Sequence, residues 1–327
     1  MQNPISPIFV GGTGRSGTTA VFQAIATGRG FVSAAPELRV HIDPKGALDL
    51  LDAMSDNWSP YQADSAIHEF ASLMRTCRRS NRAMAGLARI FGQYIPISPW
   101  RYAGLSLGSH FGYSTYDRKL QELVSALTLG VSKGFWAGTR SFSTRPIIYE
   151  TKPLQRNHAA RVIGEFFNNL YSSISGQYDL YWIESSPYSI IHADKLLELF
   201  PNAKFIHVVR FPLDVVASYL RMHWGGTDAK LVASRLAHIH ERWQIVRKKI
   251  PGSSYLEVRL EDIADDTNSS WKRITGFLDR GDDYCFDSKL IRPDALNRNR
   301  WQHDLTEQSI TDAYRILRTV IDEYDYA

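Results

Sequence analysis

A glycine-rich segment near the N-terminus has the composition of an anion-binding loop. Residues 12–19 read Gly-Thr-Gly-Arg-Ser-Gly-Thr-Thr and lie between a short apolar run, residues 7–10, and a helical pattern. Such a loop turns backbone N–H groups towards a bound anion, and the helix N-terminus adds partial positive charge. Arg15 provides a rigid fork of donors that suits a tetrahedral oxyanion. Hydroxyl donors stand beside it at Ser16, Thr18 and Thr19.

Two other nucleotide-binding loops share part of this pattern. Gly12, Gly14 and Gly17 spell G-x-G-x-x-G, and Glu37 follows at about the distance expected of a ribose-binding acid. This interpretation predicts an NAD(P)-dependent oxidoreductase, although Arg15 would then point into the pyrophosphate turn. The outer glycines also have P-loop spacing, but a threonine replaces the lysine that reaches the terminal phosphates. A P-loop NTPase is therefore disfavoured, and the oxidoreductase remains the alternative.

A second cationic motif follows the most strongly apolar strand pattern of the chain, residues 204–209. Residues 208–220 read Val-Val-Arg-Phe-Pro-Leu-Asp-Val-Val-Ala-Ser-Tyr-Leu, so Arg210 ends the strand and Ser218 lies two turns into the next helix. Alone, Arg210 would be interpreted as an ion-pair partner of Asp214. At the carboxyl edge of a sheet, however, an arginine and a hydroxyl can hold a second phosphate. A dehydrogenase does not need such a site.

The two motifs, in this order, resemble the phosphate-binding motifs of the sulfotransferase family. The first is similar to the 5′-phosphosulfate loop, Pro-Arg/Lys-Ser-Gly-Thr-Thr, with Gly14 in place of proline, and the second to the 3′-phosphate motif Arg-x-Pro-x-Asp-x-x-x-Ser. The resemblance implies transfer of a sulfuryl group from 3′-phosphoadenosine 5′-phosphosulfate (PAPS) to a hydroxyl acceptor, with no metal. Trp301 and Tyr255 are candidates for the flat apolar slot that adenine needs. The residues implied to bind PAPS are Gly14, Arg15, Ser16, Gly17, Thr18, Thr19, Arg210, Ser218, Arg300 and Trp301.

Shorter stretches extend the resemblance beyond the phosphate motifs. Residues 299–301, Asn-Arg-Trp, are similar to the Gly-Arg-Trp element near the family's C-terminus. Residues 257–262 are similar to its Val-x-Tyr-Glu-Asp-Leu element, with a leucine where tyrosine is usual. The resemblance covers residues 7–40 and roughly 180–320.

Sulfuryl transfer also needs a base that takes the proton of the acceptor hydroxyl. Residues 35–39, Ala-Pro-Glu-Leu-Arg, resemble the Glu-x-Arg element of protein-tyrosine sulfotransferases, in which the glutamate is the base. The resemblance therefore implies Glu37 as the general base. A surface ion pair between Glu37 and Arg39 is the competing interpretation, and His41 is the alternative base.

The chain departs from the family at the residue that helps to hold the leaving oxygen. Many members carry a lysine before Ser/Thr/Asp-Pro, but residues 184–188 read Glu-Ser-Ser-Pro-Tyr, with Ser185 at that position. We expect Ser185 or Ser186 to donate a hydrogen bond there, or Lys152 to supply the charge from elsewhere. An exposed lysine is the plainer interpretation of Lys152. Because this lysine is missing, a second alternative is a nucleotide-binding relative of the sulfotransferases that has no catalytic activity.

The order of elements predicts how these residues are positioned. Apolar strand patterns alternate with amphipathic helices such as residues 156–175, which predicts a three-layer α/β domain with a parallel sheet and a P-loop-like phosphate loop. Residues 46–150 alternate helical patterns with aromatic-rich loops. We expect them to form a mainly helical insertion over the acceptor site of a single domain, residues 1–327.

Composition restricts the function classes further. The 327 residues carry a formal net charge of +4 and are 44% hydrophobic, values of an ordinary globular enzyme that give no indication of nucleic-acid binding. Cys77 and Cys285 are too few and too distant for a metal site or disulfide framework. Without a signal peptide or a long apolar stretch, a cytoplasmic protein with no integral membrane segment is expected. The expected partner is a hydroxyl-bearing small molecule, glycan or peptide.

Overall fold

The computed structural model describes residues 5–35, 37–80, 102, 105–142, 146–176, 180–280, 291 and 296–326. Residues 82–91, whose sequence has a helical pattern, and Cys285 therefore lie outside the described residues. The chain forms two compact units. The helical unit comprises Met1–Ile5, Val32–Leu180 and Glu198–Pro201. The sheet unit comprises Ser6–Phe31, Tyr181–Leu197 and Asn202–Ala327.

The described residues form both strands and α-helices. The strands are β1 (Ser6–Gly12), β2 (Phe31–Val32), β3 (Gly130–Lys133), β4 (Ile147–Glu150), β5 (Tyr181–Glu184), β6 (Lys204–Val209) and β7 (Tyr255–Arg259). The α-helices are α1 (Thr18–Ala26), α2 (Ala47–Met54), α3 (Pro60–Arg78), α4 (Leu107–Phe111), α5 (Tyr113–Leu127), α6 (Arg156–Ser172), α7 (Ala193–Leu199), α8 (Pro212–Leu220), α9 (Ala229–Arg247), α10 (Leu260–Asp265), α11 (Thr267–Phe277), α12 (Trp301–Asp304) and α13 (Glu307–Glu323).

The sheet unit is built on a five-stranded sheet in the order β2-β5-β1-β6-β7. The central strand β1 pairs in parallel with β5 and β6, and β6 pairs in parallel with β7. In this register Val10 lies opposite Ile206 and Gly12 opposite Val208. The predicted α/β fold with a parallel sheet is confirmed, and the strands preceding both phosphate motifs are neighbours.

Helices cover both faces of this sheet. Because successive strand residues point to opposite faces, Val10 packs with α1, α10 and α11, whereas Phe9 faces the other layer. There Phe9 stacks on Phe205 with ring centroids 5.3 Å apart. Trp243 of α9 lies edge-on to His207 of β6, with centroids 5.0 Å apart. The unit thus has the predicted helix, sheet, helix layers.

The helical unit combines packed helices with a small hairpin. Its helix α5 buries Tyr116, Leu120, Leu123 and Leu127 along one side, the spacing expected of an amphipathic helix. The strands β3 and β4 pair antiparallel. Residues 46–150 are therefore mainly helical where they are described, but they also contain this hairpin. None of the described helices has the length and apolar composition needed to cross a bilayer.

A buried carboxylate fastens the hairpin to the helices. Asp64 of α3 is fully buried and accepts the backbone N–H of Tyr149 at 2.7 Å. His68, one turn later, places its Nε2 atom 3.4 Å from the same carboxylate oxygen. Burial raises the pKa of Asp64, and the Tyr149 N–H and His68 oppose that shift.

Candidate anion-binding site

The loop between β1 and α1 has an unusual backbone. Gly14, Arg15 and Gly17 all have positive φ, at 75°, 57° and 93°. Gly17 caps α1 without any side-chain hydrogen bond, so the first-turn amides of this nine-residue helix have no side-chain partner at the cap. Unpaired N–H groups at a helix N-terminus favour an anion. The geometry therefore agrees with the anion-binding loop inferred from the sequence.

The second motif meets this loop because their strands are neighbours. Since β1 and β6 run parallel side by side, the residues after them lie at the same edge of the sheet. Arg15 donates from Nε to Ser218 Oγ over 3.1 Å. Arg210 donates from Nη1 to the carbonyl oxygen of Arg15 over 3.4 Å, although the two residues are 195 positions apart in the chain. The two cationic motifs thus form one site.

A cavity of about 290 Å³ opens between them. Its lining includes three arginines and no carboxylate among the described residues, so it favours an anionic ligand. The polar lining residues are Arg15, Thr18, Thr19, Arg210, Ser218, Asn297 and Arg300. The apolar lining residues are Ala20, Leu260, Ile291 and Leu296, and Gly17 also lines the cavity. Gly14 and Ser16 lie in the same loop but do not line the cavity.

Arg210 is held by the protein on one side. Its Nη2 donates to the carbonyl oxygens of Leu296 at 2.7 Å and Asn297 at 3.2 Å. The same atom lies 3.8 Å from Asp214, at the outer limit of an ion pair. Burial lowers the pKa of Arg210, while Asp214 and Glu261 oppose that shift. The ion pair predicted as the competing interpretation is therefore present but long, and Arg210 still faces the cavity.

Of the two C-terminal residues predicted to bind nucleotide, Arg300 and Trp301, only Arg300 lines the cavity. The Nε atom of Arg300 lies 3.0 Å from Asp304. Trp301 instead packs near Phe211, with ring centroids 5.9 Å apart, and it is not part of the cavity lining. Tyr255 packs edge-on against Trp243. The apolar residues that do line the cavity could not be predicted from the sequence, because nothing in their spacing distinguishes them from core residues.

Buried serine hydroxyls accompany the loop. Ser16 is buried, and its Oγ has no hydrogen-bond partner among the described residues. Ser185 and Ser186 directly follow β5, the neighbour of β1 in the sheet, and their Oγ atoms are buried and unpartnered in the same sense. A buried hydroxyl without a partner is unfavourable by about 1–3 kcal/mol, so these groups are suited to a bound polar ligand.

Tyr219 supports the loop and was not recognised in the sequence analysis. Its hydroxyl donates to the carbonyl oxygen of Thr13 over 2.7 Å. A Cβ atom on Gly14 would lie only 2.3 Å from the same hydroxyl. The signal available in the sequence was its position directly after Ser218 in the second motif.

The remaining candidates belong to the helical unit. Glu37 is exposed, and its carboxylate lies 3.5 Å from Arg39, so the competing ion pair is formed. His41 is fully buried, with its ring centroid 4.3 Å from that of Phe167 and Nδ1 3.2 Å from the Leu38 carbonyl oxygen. Lys152 is exposed. Among the described residues, no three His, Cys, Asp or Glu side chains are grouped as metal ligands.

Comparison with known proteins shows which family part of the chain is similar to. Residues 135–283 match the sulfotransferase family. Over this stretch, which is slightly less than half of its length, the chain is similar to the sulfotransferases. The omega-hydroxy-beta-dihydromenaquinone-9 sulfotransferases Stf3 of Mycobacterium bovis and Mycobacterium tuberculosis are each 28% identical to this sulfotransferase relative over 148 residues. That match covers 40% of this chain and 37% of each relative, so the chain spans well under half the length of these curated proteins.

The fold of this sulfotransferase relative is also found in solved structures. The sulfotransferase domain from the curacin biosynthetic pathway aligns with a TM-score of 0.50 over 98% of both chains, at 13% identity. The α/β fold is therefore shared with a sulfotransferase.

Proposed function

We propose that the chain is a sulfotransferase that moves the sulfuryl group of PAPS to an acceptor hydroxyl. One observation carries the proposal: Arg15 and Arg210 line a single cavity together with Ser218. Two cationic groups on one cavity suit a ligand with two separate phosphate-bearing ends, as PAPS has. A dinucleotide or a simple triphosphate would not need the second group.

The residues of the sheet unit divide naturally between the ends of such a nucleotide. The amides at the start of α1, with Arg15, Ser16, Thr18 and Thr19, would hold the 5′-phosphosulfate. Arg210 and Ser218 would hold the 3′-phosphate, with Arg300 at the same cavity. The apolar residues Leu260, Ile291 and Leu296 suit the adenine ring better than Trp301, which packs elsewhere.

Catalysis in this proposal consists of positioning and charge stabilisation, as in phosphoryl transfer. PAPS supplies the sulfuryl group; a bond forms between sulfur and the acceptor oxygen while the bond from sulfur to the 5′-phosphate oxygen breaks. Arg15 and the loop amides stabilise the negative charge that grows on the departing phosphate. Ser185 or Ser186 donates to the same oxygen in place of the usual lysine, and Lys152 is the alternative source of charge.

The acceptor proton goes to Glu37 in this mechanism. Its exposed carboxylate is accessible to a substrate, and Arg39 would orient it. His41 is the weaker candidate because its ring is fully buried against Phe167. Removing a proton from the hydroxyl as sulfur approaches makes the oxygen a better nucleophile.

The acceptor is proposed as a chemical class and not as a single compound. The relatives named for omega-hydroxy-beta-dihydromenaquinone-9 carry a hydroxyl compound in their name, which supports a hydroxyl as the accepting group. We propose a hydroxyl-bearing small molecule, glycan or peptide as acceptor.

A ligand panel tests the proposal. Thermal unfolding is measured with adenosine 3′,5′-bisphosphate, NAD and ATP, and sulfate transfer from PAPS is then followed over a broad set of hydroxyl acceptors. We expect stabilisation by the bisphosphate alone, because ligands stabilise the state that binds them. Stabilisation by NAD alone would favour the oxidoreductase. Bisphosphate binding without transfer to any acceptor would instead identify a catalytically inactive relative.

A further inference from the structure

The helical unit carries an exposed apolar surface that the proposed chemistry does not explain. Leu129, Val131, Phe135 and Phe142 are 66%, 58%, 48% and 67% exposed. The rings of Phe135 and Phe142 pack against each other with centroids 4.9 Å apart, so they form one projecting pair. Folded proteins normally bury large aromatic side chains, and a group of exposed apolar side chains in one segment indicates an interaction surface. We call these four residues the aromatic patch.

The strand β3 aligns part of this patch with a positive charge. Because side chains alternate along a strand, Leu129, Val131 and Lys133 project to the same side of the hairpin. Ser132 projects to the opposite side, where its hydroxyl bonds to Glu150 over 2.5 Å. The acidic side chain of the hairpin is therefore turned away from the exposed apolar residues.

Every charged side chain in the segment that carries the patch is positive. Residues 128–145 contain Lys133, Arg140 and Arg145 and no aspartate or glutamate. Lys133 is exposed, and Arg140 bonds to the Ser72 hydroxyl at 3.1 Å. No ion pair within 4.0 Å engages either cation among the residues that the structure describes. Both charges remain available to an anionic partner.

Exposed aromatic rings beside unpaired cations match the chemistry of an anionic bilayer surface. Apolar rings partition into the boundary between head groups and acyl chains, and nearby lysine and arginine are attracted to anionic lipid head groups. We propose that the aromatic patch docks on the surface of an anionic lipid bilayer, with Lys133 and Arg140 at the head groups. The attachment is peripheral and reversible, and it requires no spanning helix.

Vesicle sedimentation tests this docking surface. The full chain is mixed with phosphatidylcholine vesicles that either lack or contain phosphatidylglycerol. We expect sedimentation with the anionic vesicles only, weakened by added salt. Phe135→Ser/Phe142→Ser should weaken binding at least about tenfold, and Lys133→Gln/Arg140→Gln about fivefold per charge removed. The matched control is Leu231→Ser/Lys230→Gln, which changes an exposed leucine and its basic neighbour on α9 and should bind like the unmodified chain.

Three outcomes would overturn the proposal. The chain could fail to bind anionic vesicles, or the patch variants and the control could bind equally. Alternatively, light scattering could show a dimer that becomes monomeric in Phe135→Ser/Phe142→Ser, which would assign the patch to a second copy of the chain. Unfolding midpoints measured for all variants show whether lost binding reflects unfolding, and exposed substitutions of this kind should shift them little.

Discussion

The hydroxyl of Tyr219 occupies the space that a side chain on Gly14 would need. It donates to the Thr13 carbonyl oxygen at 2.7 Å, and a Cβ atom on Gly14 would approach it to 2.3 Å. The φ of 75° at Gly14 also excludes the proline that is usual in sulfotransferases, since proline fixes φ near −65°. Glycine at position 14 and tyrosine at position 219 are therefore a matched pair that sets the backbone before Arg15.

This pairing predicts a specific pattern of rescue. Gly14→Ala should lower the affinity for adenosine 3′,5′-bisphosphate more than about tenfold, because the new methyl group meets Tyr219 and the residue is strained at positive φ. Tyr219→Phe removes the clashing oxygen, so the double variant should bind better than Gly14→Ala alone. Calorimetric titration measures all three. Gly252→Ala is the control, since a Cβ there meets nothing within 4 Å; additive effects at positions 14 and 219 would contradict the pairing.

The roles of Arg15 and Arg210 should be distinguished by two nucleotides that differ in their 3′-phosphate. Arg210→Ala should weaken binding of adenosine 3′,5′-bisphosphate about 10- to 100-fold but leave adenosine 5′-monophosphate almost unaffected, because only the former has a 3′-phosphate. Arg15→Ala should weaken both ligands. Titrations with the two nucleotides measure this difference. Arg318→Ala, an exposed arginine on α13, is the control; equal losses for both ligands in Arg210→Ala would contradict the assignment.

Ser185 should affect turnover more than binding. If its hydroxyl stabilises the departing phosphate oxygen, Ser185→Ala should lower kcat about 10²-fold, with bisphosphate affinity nearly unchanged. Steady-state kinetics and titration together measure the split. Ser189→Ala removes another buried hydroxyl from the same segment. A similar loss of kcat in both variants would indicate a packing effect and argue against a catalytic role for Ser185.

Glu37 should determine the acid side of the pH profile. Glu37→Gln removes the proton acceptor and should lower kcat about 10²- to 10⁴-fold, with loss of the rise in kcat on the acid side. Glu37→Asp should keep part of the activity and the acid limb. The comparison variant Glu69→Gln alters another glutamate of the helical unit, which pairs with Lys45. An unchanged pH profile in Glu37→Gln would transfer the role to another group.

A partly buried carboxylate on β7 predicts acid sensitivity of the sheet unit. Burial alone would raise the pKa of Glu257, but hydrogen bonds from His207, Tyr324 and Trp243 lower it to about 2. A carboxyl whose folded pKa is depressed stabilises the fold above its unfolded pKa and loses that contribution as pH falls through the folded value. The free energy of unfolding should therefore drop by on the order of 3 kcal/mol between pH 5 and pH 2 through this group.

Urea unfolding at several pH values measures this decline in the free energy of unfolding. Glu257→Gln should be less stable at pH 7 and should lose much of the decline between pH 5 and pH 2. Glu241→Gln, an exposed glutamate on α9, should keep the decline. If the free energy of unfolding of Glu257→Gln and of the unmodified chain declined equally with pH, Glu257 and its hydrogen bonds would not be the cause of the acid sensitivity.

The sequence predicted those parts of the fold whose patterns are local and strong. The strands β1 and β6, the helix α6 and the meeting of Arg15 with Arg210 were predicted from apolar runs, from helical spacing and from the parallel register that brings strand ends together. Helix α5 was overlooked because aromatic and polar residues at its start masked the spacing of its buried positions. The hairpin of β3 and β4 was overlooked because exposed Val131 removes the usual alternation.

Features that depend on tertiary packing could not be predicted in the same way. Trp301 belongs to an element similar to one in sulfotransferases, yet it packs beside Phe211 because α12 and the residue after β6 are brought together only in the folded unit. The burial of the Ser16 and Ser185 hydroxyls without a hydrogen-bond partner could not be predicted from the sequence either, because burial and hydrogen bonding depend on the surrounding residues. The residue types indicated which side chains could bind a ligand, but the sequence could not predict which of them are exposed.

The contact between Arg210 and the Arg15 carbonyl oxygen has a consequence for biosynthesis. Because these groups are separated by 195 positions, a nascent chain emerging from the ribosome displays the first half of the site long before the second has been translated. Only after β6 has paired with β1 can both halves engage one ligand. Because Ile291, Leu296 and Arg300 also line the cavity, the site is complete only when nearly the whole polypeptide has been made.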